Sequence, residues 1–481
     1  MQGVTHESRR TSRAGGEPAM HVAILGAGLA GLSAAYFLKQ GGWTDVRVYE
    51  RNRYGGGHAT SFSLTPSPAS GEGTGRGQGA FYFDEGPHVS FTKNEFVRDF
   101  LAESVAGEYD EHVANLSNYY RGHWLKHPAQ CNLHGLPVDL IEHCILDMIE
   151  QAHGSNGSNG SHGAPPRDYA EWCYRSLGET FSREFTFRYT RKYWTLEAEQ
   201  MTTDWVGSRM YPPSIADVVR GALTSDTDAA NHHYLTRFRY PRRGGFGAFT
   251  RRLVEGAPVA YEHDVTEVDV EAKRIKFANG AEAGYDMLVS SLPLPELIRR
   301  IPQAPAGVRQ AADRLSCSSV VLVSLGVDRA DLSPFHWFYV YDEDIPFARV
   351  NLTHKLAPAC APEGCGAIQA EIYFSRYRPL WASLEELTEQ TIAGLQRIGV
   401  LRPDDTILVR DTRAIRYANV IFDHDRAPAL EIVHGYLQDQ GIQYCGRYGE
   451  WAYLWTDDAI LSGKRVAETV LGASSIERLV N

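Results

Sequence analysis

The fold is decided by residues 21–61, HVAILGAGLAGLSAAYFLKQGGWTDVRVYERNRYGGGHATS. A short apolar strand at 22–25 leads directly into a glycine-rich turn at 26–31, and apolar residues at helical spacing follow it. A second strand at 46–49 ends on Glu50. Strand, glycine turn, helix, strand and acidic residue in this order are typical of a dinucleotide-binding unit. The sequence therefore predicts a dinucleotide-binding domain at this end of the chain.

Each of the three glycines at the predicted turn, and Glu50 after it, has a separate physical role. Gly26 permits the tight turn, Gly28 lets the backbone approach a pyrophosphate, and Gly31 lets the helix pack closely on the strand. The unpaired N–H groups at the start of the helix attract phosphate. Glu50 is placed to accept hydrogen bonds from ribose hydroxyls, which disfavours a 2′-phosphate on that ribose.

A second glycine cluster follows the acidic residue almost at once, at residues 55–57. Such a cluster resembles the flavoprotein superfamily of amine oxidases, protoporphyrinogen oxidases and UDP-galactopyranose mutases, in which this loop runs beside FAD. The resemblance favours FAD over NAD as the cofactor. The residues predicted to contact FAD in these two turns are Gly26, Gly28, Leu29, Ala30, Gly31, Glu50, Arg51, Gly56, Gly57, His58 and Ala59.

Composition excludes several other classes of protein. The formal net charge of the 481-residue chain is −11, which argues against nucleic-acid binding because that requires a basic surface. Seven cysteines lack a CxxC pair or regular spacing, which predicts reduced thiols, a cytoplasmic location and no metal site. No apolar run approaches the length of a membrane span. Residues 1–19 are polar and are predicted to be a disordered tail.

Local patterns predict four further features. Residues 65–79 predict a long connection, and the glycine- and serine-rich residues 154–163 predict a surface linker. A small hairpin is predicted at 119–125, with Gly122 in its turn. The apolar run at 286–291 predicts a strand that returns to the dinucleotide-binding domain.

Four further stretches resemble UDP-galactopyranose mutase, more its eukaryotic branch than its short bacterial branch. The first is FDEGPHVSF at 83–91, which is similar to the histidine loop beside the flavin ring. The second is YTRKYW at 189–194 with Trp205 and Arg209. The third is HWFYV at 336–340 with IPFARV at 345–350, and the fourth is GRYGEWAY at 446–453.

This resemblance implies a fold of mixed α/β and α+β class. A Rossmann-type FAD-binding domain would carry a helical insertion and an antiparallel substrate-binding sheet. The predicted segments are a tail at 1–19, FAD-domain parts at 20–92, 239–295 and 431–481, a helical domain at 93–210, and substrate-sheet parts at 211–238 and 296–430.

The resemblance also implies a reaction without net redox change. In that family N5 of reduced flavin attacks the anomeric carbon of a nucleoside-diphosphate sugar, and the sugar ring reopens and recloses in another size. The partner would be the nucleoside-diphosphate sugar, with NAD(P)H as the candidate reductant and a homo-oligomer as the candidate assembly.

The resemblance carries over to individual residues. Arg349 and Arg447 stand at the positions of that family's two diphosphate arginines and would bind the diphosphate, since the planar guanidinium suits phosphate oxygens. The catalytic set would be His88, Arg349, Arg447, Tyr417 and Tyr453. The substrate set would be Tyr189, Trp194, Arg209, Tyr339 and Arg349. Further FAD contacts would come from Val265, Gly446, Arg447, Asp457 and Ala459.

Three positions depart from the family pattern: Pro87 replaces a glycine before the histidine, Ala418-Asn419 replaces a proline-rich turn, and Thr190 replaces an asparagine. Proline removes an N–H group that a flavin contact could use. The alternatives are therefore a conventional FAD oxidase or dehydrogenase and a flavin-binding protein without catalysis.

Overall fold

The structure is a computed structural model that describes residues 20–66, 79–154, 164–226 and 235–480. The predicted tail at 1–19, residues 67–78 of the predicted connection and residues 155–163 of the predicted glycine-serine linker lie outside the described residues.

The strands are β1 (Val22–Leu25), β2 (Val46–Tyr49), β3 (Ser61–Leu64), β4 (Phe81–Asp84), β5 (Tyr109–Val113), β6 (Leu116–Tyr120), β7 (His123–Lys126), β8 (Arg237–Pro241), β9 (Val259–Ala260), β10 (Val265–Asp269), β11 (Arg274–Phe277), β12 (Glu282–Gly284), β13 (Met287–Ser290), β14 (Ser319–Val327), β15 (Trp337–Val340), β16 (Arg349–Leu352), β17 (Gly366–Phe374), β18 (Ile407–Ile415) and β19 (Ile442–Tyr444).

The helices are α1 (Leu29–Gln40), α2 (Glu95–Ser104), α3 (Val138–Gly154), α4 (Tyr169–Leu177), α5 (Glu179–Phe181), α6 (Phe187–Tyr193), α7 (Ile215–Leu223), α8 (Gly247–Gly256), α9 (Leu294–Arg299), α10 (Ala306–Arg314), α11 (Thr353–Leu356), α12 (Leu384–Arg397), α13 (Arg426–Asp439), α14 (Gly446–Gly449) and α15 (Thr456–Val480). A π-helical turn, Ser182–Thr186, joins α5 to α6. Within the described ranges, no helix is both long enough and apolar enough to cross a bilayer.

A parallel five-stranded sheet forms the dinucleotide-binding layer, in the order β19-β13-β1-β2-β9. All four residues of β1 are buried, as expected for a strand covered on both faces. Helix α15 packs on α1 so closely that a Cβ on Gly463 would lie 2.1 Å from the Ala30 carbonyl oxygen. The predicted return of the chain to this sheet at 286–291 is confirmed as β13.

A seven-stranded sheet forms the second layer, in the order β18-β14-β17-β16-β15-β6-β7. Its neighbours are antiparallel except β15 and β6, which run parallel. The predicted mixed fold class and the predicted second sheet are therefore confirmed. The hairpin predicted at 119–125 is also present, with Arg121 and Gly122 at positive φ in its turn.

Two parts of the predicted segmentation differ from the structure. The segment 93–210, predicted to be a helical domain, supplies β6 and β7 to the seven-stranded sheet, because residues 116–119 pair in parallel with β15 far along the chain. The segment 211–238, predicted to be part of the substrate-sheet domain, contains α7, which begins with a capping box between Ser214 and Asp217, and its described residues add no strand to the seven-stranded sheet. The division into domains as such stays a prediction.

Candidate active site

A cavity of about 800 Å³ lies between the two sheets, with α4, α6 and the π-helical turn along one side. Except for Gly31 and Asp457, every residue predicted for the site lines it. The lining set among them is Gly26, Gly28, Leu29, Ala30, Glu50, Arg51, Gly56, Gly57, His58, Ala59, His88, Tyr189, Trp194, Arg209, Val265, Tyr339, Arg349, Tyr417, Gly446, Arg447, Tyr453 and Ala459.

The first glycine turn supplies backbone groups to one end of this cavity. Gly28 is the N-cap of α1, and a Cβ built on it would meet no atom within 4 Å, so only the cavity occupies that space. Gly31 has the opposite surroundings, because its Cβ would lie 2.0 Å from the Gly26 carbonyl oxygen. Gly28 therefore leaves room for a ligand, whereas Gly31 is required by packing.

The second glycine loop, residues 55–59, is joined to the first turn by backbone hydrogen bonding. The N–H of Gly56 donates to the Ala27 carbonyl at 2.8 Å, and Gly28 and Gly56 form an isolated parallel bridge. The two turns thus form one continuous cradle.

Glu50 lies at the edge of the cradle and is buried. Its Oε2 accepts the N–H of Ala27 at 2.8 Å, and its Oε1 accepts the N–H of Asn52 at 2.9 Å. Each carboxylate oxygen has a second lone pair, so both can still accept a hydrogen bond from a ribose hydroxyl. The open space at Gly28, the helix N-terminus and Glu50 fit the ADP half of FAD.

Residues 85–88 of the histidine loop at 83–91 lie in the wall of the cavity. The Nδ1–H of His88 donates to the Gly86 carbonyl at 2.8 Å, and burial lowers the pKa of His88 to about 4, helped by the nearby charges of His58, Arg447 and Arg349. His88 is therefore a neutral imidazole at pH 7, with Nδ1 as the donor and Nε2 as an acceptor.

Arg349 is held by a carboxylate. Its Nη2 donates to Glu371 Oε1 at 2.9 Å, and its Nε donates to Glu371 Oε2. The Tyr373 hydroxyl donates to the same Glu371 Oε1 at 3.0 Å. Among the described residues the Arg349 Nη1 group has no partner, so one face of this neutralised pair stays available to a ligand.

Arg447 is held by neutral acceptors. Its Nε and Nη2 donate to the Leu454 carbonyl at 2.8 and 2.5 Å, and its Nη1 donates to the Ala418 carbonyl at 3.2 Å. The side-chain oxygen of Asn419 lies 3.4 Å from Nη1, so the departure at 418–419 contacts this arginine directly. Within the described part of the chain, no carboxylate neutralises Arg447.

Arg209 is the second cavity arginine without a carboxylate partner among the described residues. Its guanidinium carbon lies 4.4 Å from the ring centroids of both Tyr453 and Trp455, and its buried Nε has no hydrogen-bond partner. The Arg447 guanidinium lies 5.3 Å from the same Tyr453 ring. Two guanidinium groups without a carboxylate partner among the described residues therefore lie against the same Tyr453 ring.

The predicted tyrosines lie in the same cavity but face different groups. The Tyr417 hydroxyl donates to Glu296 at 2.7 Å, and the same carboxylate pairs with Arg416 and Arg300. The Tyr453 and Tyr193 hydroxyls are 3.3 Å apart, and the Tyr339 hydroxyl accepts Trp337 Nε1–H at 3.0 Å. The hydroxyl of Thr190, at the third departure from the family pattern, donates to the Thr186 carbonyl at 2.8 Å within its own helix.

Two functional candidates were missed by sequence reasoning. Glu371 shares with Gln369 and Tyr373 one face of β17, and this alternation within GAIQAEIYF was a readable signal. Glu85 gave no such signal, because its partner His58 lies on a separate loop.

Comparisons with known proteins agree with this geometry. The model of the family of flavin containing amine oxidoreductases matches residues 29–471. A structure of reduced UDP-galactopyranose mutase is similar, with 25% sequence identity over 94% of each chain and a TM-score of 0.84. A putative protoporphyrinogen oxidase from Exiguobacterium sp. 255-15 shares the fold, with 16% identity over 95% of this chain and 99% of that one, and a TM-score of 0.70.

A curated relative, 4,4′-diapolycopene oxygenase from Methylomonas sp., is 27% identical over 190 residues. This match takes in 34% of the chain and 38% of the relative, so it spans less than half of that protein's length. Because the family match runs through nearly all of the described residues, the chain belongs to the flavin containing amine oxidoreductases, with FAD as its cofactor.

Proposed function

We propose that this protein is an FAD-dependent mutase that interconverts the ring forms of a nucleoside-diphosphate sugar. The observation that carries the proposal is the pair Arg209 and Arg447, both in contact with the Tyr453 ring and both without a carboxylate partner among the described residues. Holding two partly buried positive charges close to one ring without a counter-ion is unfavourable, so a fixed pair of this kind is stabilised by an anionic ligand. A diphosphate carries the charge to match it.

The cavity residues divide the work of such a reaction. Reduced FAD, when bound, supplies the nucleophile for the anomeric carbon. Arg209 and Arg447 bind the diphosphate and stabilise the negative charge that develops as it leaves. Arg349 Nη1 supplies a further donor. His88 stays neutral at pH 7 and can accept or donate a hydrogen bond without bringing a charge near the sugar.

The similarity to the reduced mutase structure supports the reaction class, whereas the identity of the sugar and the base is left open by the departures at Thr190 and Asn419. Both positions contact the substrate side of the cavity. The seven cysteines are all free thiols, which supports the expectation of a reducing, cytoplasmic environment. NAD(P)H stays the candidate reductant.

The arginine pair is tested by ligand binding to the FAD-loaded protein. UDP, GDP, CDP and dTDP would be titrated by calorimetry into the wild type and Arg447→Ala. We expect the variant to bind the preferred nucleotide about 10- to 100-fold more weakly, since hydrogen bonds to charged groups contribute about 1.5–3 kcal/mol. FAD content should be unchanged.

Arg416→Ala is the matched control, because Arg416 also lines the cavity but its charge is already paired with Glu296 at 2.8 Å. Its nucleotide affinity should stay within about twofold of the wild type. Equal affinity of Arg447→Ala and wild type for every nucleotide would refute the diphosphate site.

A second candidate function is an FAD-dependent oxidoreductase. It is favoured by the family, by the oxygenase relative, and by the aromatic wall that Tyr189, Tyr193, Trp194 and Trp205 form along the cavity. An apolar or amine substrate would reduce the flavin under anaerobic conditions, whereas a nucleotide sugar would leave its oxidation state unchanged.

A further inference from the structure

A second, smaller cavity adjoins the first, and Tyr373 lines both of them. Its volume is about 260 Å³, below the roughly 300–1,000 Å³ that is usual for ligand pockets. Its lining includes two cations, Lys192 and Arg378, and two carboxylates, Glu343 and Asp344. None of these four residues lines the first cavity. A polar cavity of this size suits a small, charged ligand.

The two carboxylates of this lining are already paired with arginines. Glu343 accepts hydrogen bonds from Arg191 on both oxygens, from Nε at 2.7 Å and from Nη2 at 2.9 Å. Asp344 Oδ2 accepts a hydrogen bond from Arg397 Nη1 at 2.6 Å. Neither arginine lines the second cavity, so both carboxylates are neutralised by groups outside it. They therefore do not require a cationic ligand.

The two cations of the lining form no ion pair within the described part of the chain. Lys192 is buried, and its Nζ donates to the Asp342 carbonyl at 2.7 Å. An ammonium group has three N–H bonds, so two of them find no acceptor among the described residues. Arg378 Nη1 donates to the Arg191 carbonyl at 3.0 Å, and the Arg378 Nε and Nη2 groups have no acceptor among those residues. Both cations can therefore donate hydrogen bonds to a ligand.

The charge of Lys192 depends on its surroundings. Burial lowers the pKa of Lys192 to about 7, and the charge of Arg378 acts in the same direction, whereas Asp342, Glu343 and Asp344 act to raise it. Because the carboxylates do not outweigh burial, Lys192 is only partly protonated at pH 7. An anion bound to both cations would favour the charged ammonium and offset the repulsion between Lys192 and Arg378.

An aromatic ring borders the two cations at the protein surface. The Arg378 guanidinium carbon lies 5.7 Å from the ring centroid of Trp381, which is 47% exposed. Trp381 Nε1 donates to Gln390 Oε1 at 3.3 Å. The Gln390 Nε2 group has no acceptor among the described residues, so it adds a further donor. The lining thus offers several free N–H groups, while its carboxylates are already engaged.

We propose that the second cavity is a binding site for a small oxyanion, a carboxylate or a phosphate-like group, held by Lys192 and Arg378. The two side chains supply the positive charge and the N–H donors that such an anion needs. Arg209 and Arg447, which carry the proposed diphosphate site, do not line this cavity. The inference is therefore independent of the function proposed above.

The test is a titration of the ¹⁵N-labelled, FAD-loaded protein with sodium sulfate and, separately, with sodium acetate, followed by the NMR signals of the tryptophan indole N–H groups. The Trp381 signal reports on the second cavity, and the Trp455 signal, beside Arg209, reports on the first. Trp381→Phe and Trp455→Phe identify the two signals, and sodium chloride at equal ionic strength is the blank. We expect a saturable shift of the Trp381 signal with at least one of the two oxyanions, whatever the Trp455 signal does.

Two variants remove the proposed ligand contacts one at a time. Lys192→Met and Arg378→Met keep an unbranched side chain without its charge and donors. Each should bind the oxyanion about tenfold more weakly or worse, because a hydrogen bond to a charged group is lost. The shift of the Trp455 signal should be the same as in the wild type.

Arg376→Met is the matched control. Arg376 lies two residues before Arg378 and donates to the carbonyls of Asp313 and Leu315, but it does not line the second cavity. Its oxyanion affinity should stay within about twofold of the wild type.

The proposal is overturned if neither oxyanion gives a saturable shift of the Trp381 signal, or if Lys192→Met or Arg378→Met binds as tightly as the wild type. A saturable shift of the Trp455 signal alone also overturns it, because the oxyanion would then bind only in the first cavity. That last result would leave the proposed diphosphate site intact. If Lys192→Met does not fold, the affinity of Arg378→Met decides.

Discussion

The two ends of the cavity bind their ligands with different kinds of group. At the glycine end, the site is made of backbone N–H groups, the empty space beside Gly28 and the buried carboxylate of Glu50. At the sheet end, three arginines from three separate parts of the chain make it. A substitution at the glycine end changes the room that is left for the ligand, whereas a substitution at the sheet end changes the positive charge that faces the ligand.

The three arginines of the sheet end differ in whether a carboxylate neutralises them. Arg349 carries its own counter-ion, Glu371, while Arg209 and Arg447 are held by carbonyl groups and aromatic rings. An arginine that is already paired with a carboxylate mainly orients a ligand through its hydrogen bonds. An arginine without such a partner attracts an anionic ligand through its charge. We therefore assign the attraction of an anion to Arg209 and Arg447 and the orientation of the ligand to Arg349.

The largest effect should come from the two glycines that differ most in their surroundings. Gly31→Ala would place a Cβ 2.0 Å from a backbone oxygen, so we expect a loss of about 3 kcal/mol or more in the free energy of unfolding and loss of FAD. Gly28→Ala meets no protein atom within 4 Å. The free energy of unfolding of Gly28→Ala should stay within about 1 kcal/mol of the wild-type value. The variant should nevertheless bind FAD about tenfold more weakly or worse, because the new methyl group occupies ligand space.

Chemical denaturation and FAD fluorescence would measure both quantities. Equal destabilisation by the two alanines would contradict the separation of a packing glycine from a ligand-facing one.

The next effect concerns the counter-ion of Arg349. Glu371→Gln leaves a buried guanidinium without its charge partner and should lower the free energy of unfolding by about 2–4 kcal/mol. Because it also frees positive charge in the cavity, nucleotide affinity should hold or increase. Denaturation and calorimetric titration of the same sample would show both changes.

Asp405→Asn provides the control, because Asp405 forms a similarly buried pair with Arg329 at 2.6 Å outside the cavity lining. It should lose comparable stability with no change in nucleotide affinity. A weaker nucleotide affinity in Glu371→Gln alone would contradict the charge argument and mean that the hold of Glu371 on Arg349 matters more for nucleotide binding than the freed charge.

The smallest effect concerns a buried charge away from both ends. Lys192 lies on α6, 4% exposed, and its Nζ donates to the Asp342 carbonyl at 2.7 Å. Burial lowers the pKa of Lys192 from 10.5 to about 7, so the unfolded chain binds a proton there that the native protein does not between these values. Native stability from this group therefore rises with pH across that window.

Lys192→Met should remove this penalty. Such a pKa change corresponds to about 4–5 kcal/mol, of which the unpaired Asp342 carbonyl offsets about 1–3, leaving a gain of about 2 kcal/mol at pH 6. The gain should shrink at pH 9, and nucleotide affinity should not change. A gain independent of pH would contradict the buried-charge explanation.

The glycine end could be predicted from the sequence because it is built within one continuous stretch. Spacing alone placed Gly28, Gly31 and Glu50 in their observed relation, and the apolar run at 286–291 predicted its own return to the sheet. Local signals were sufficient for the cradle because Gly56 and Glu50 both hydrogen-bond to Ala27 within the same continuous stretch.

The sheet end could be predicted only in part. The resemblance predicted that Arg349 and Arg447 share one site, and both line the cavity. Their hydrogen-bond partners depend on strand register and loop packing, which no local sequence pattern encodes. Glu371 faces Arg349 because β16 and β17 pair in that register. The hydroxyl of Tyr417 meets Glu296 on α9, and β6 joins β15 across more than two hundred residues, both through tertiary contacts.

The most direct test of the central claim is an anaerobic assay of the dithionite-reduced protein. UDP-, GDP-, CDP- and dTDP-sugars would be incubated with it, and the sugar isomers separated by chromatography while the flavin spectrum is recorded. We predict interconversion of at least one nucleotide sugar by the reduced enzyme and none by the oxidised enzyme. Absence of any interconversion, with the oxidised flavin instead reduced by an amine or an apolar substrate, would contradict the mutase and establish the oxidoreductase.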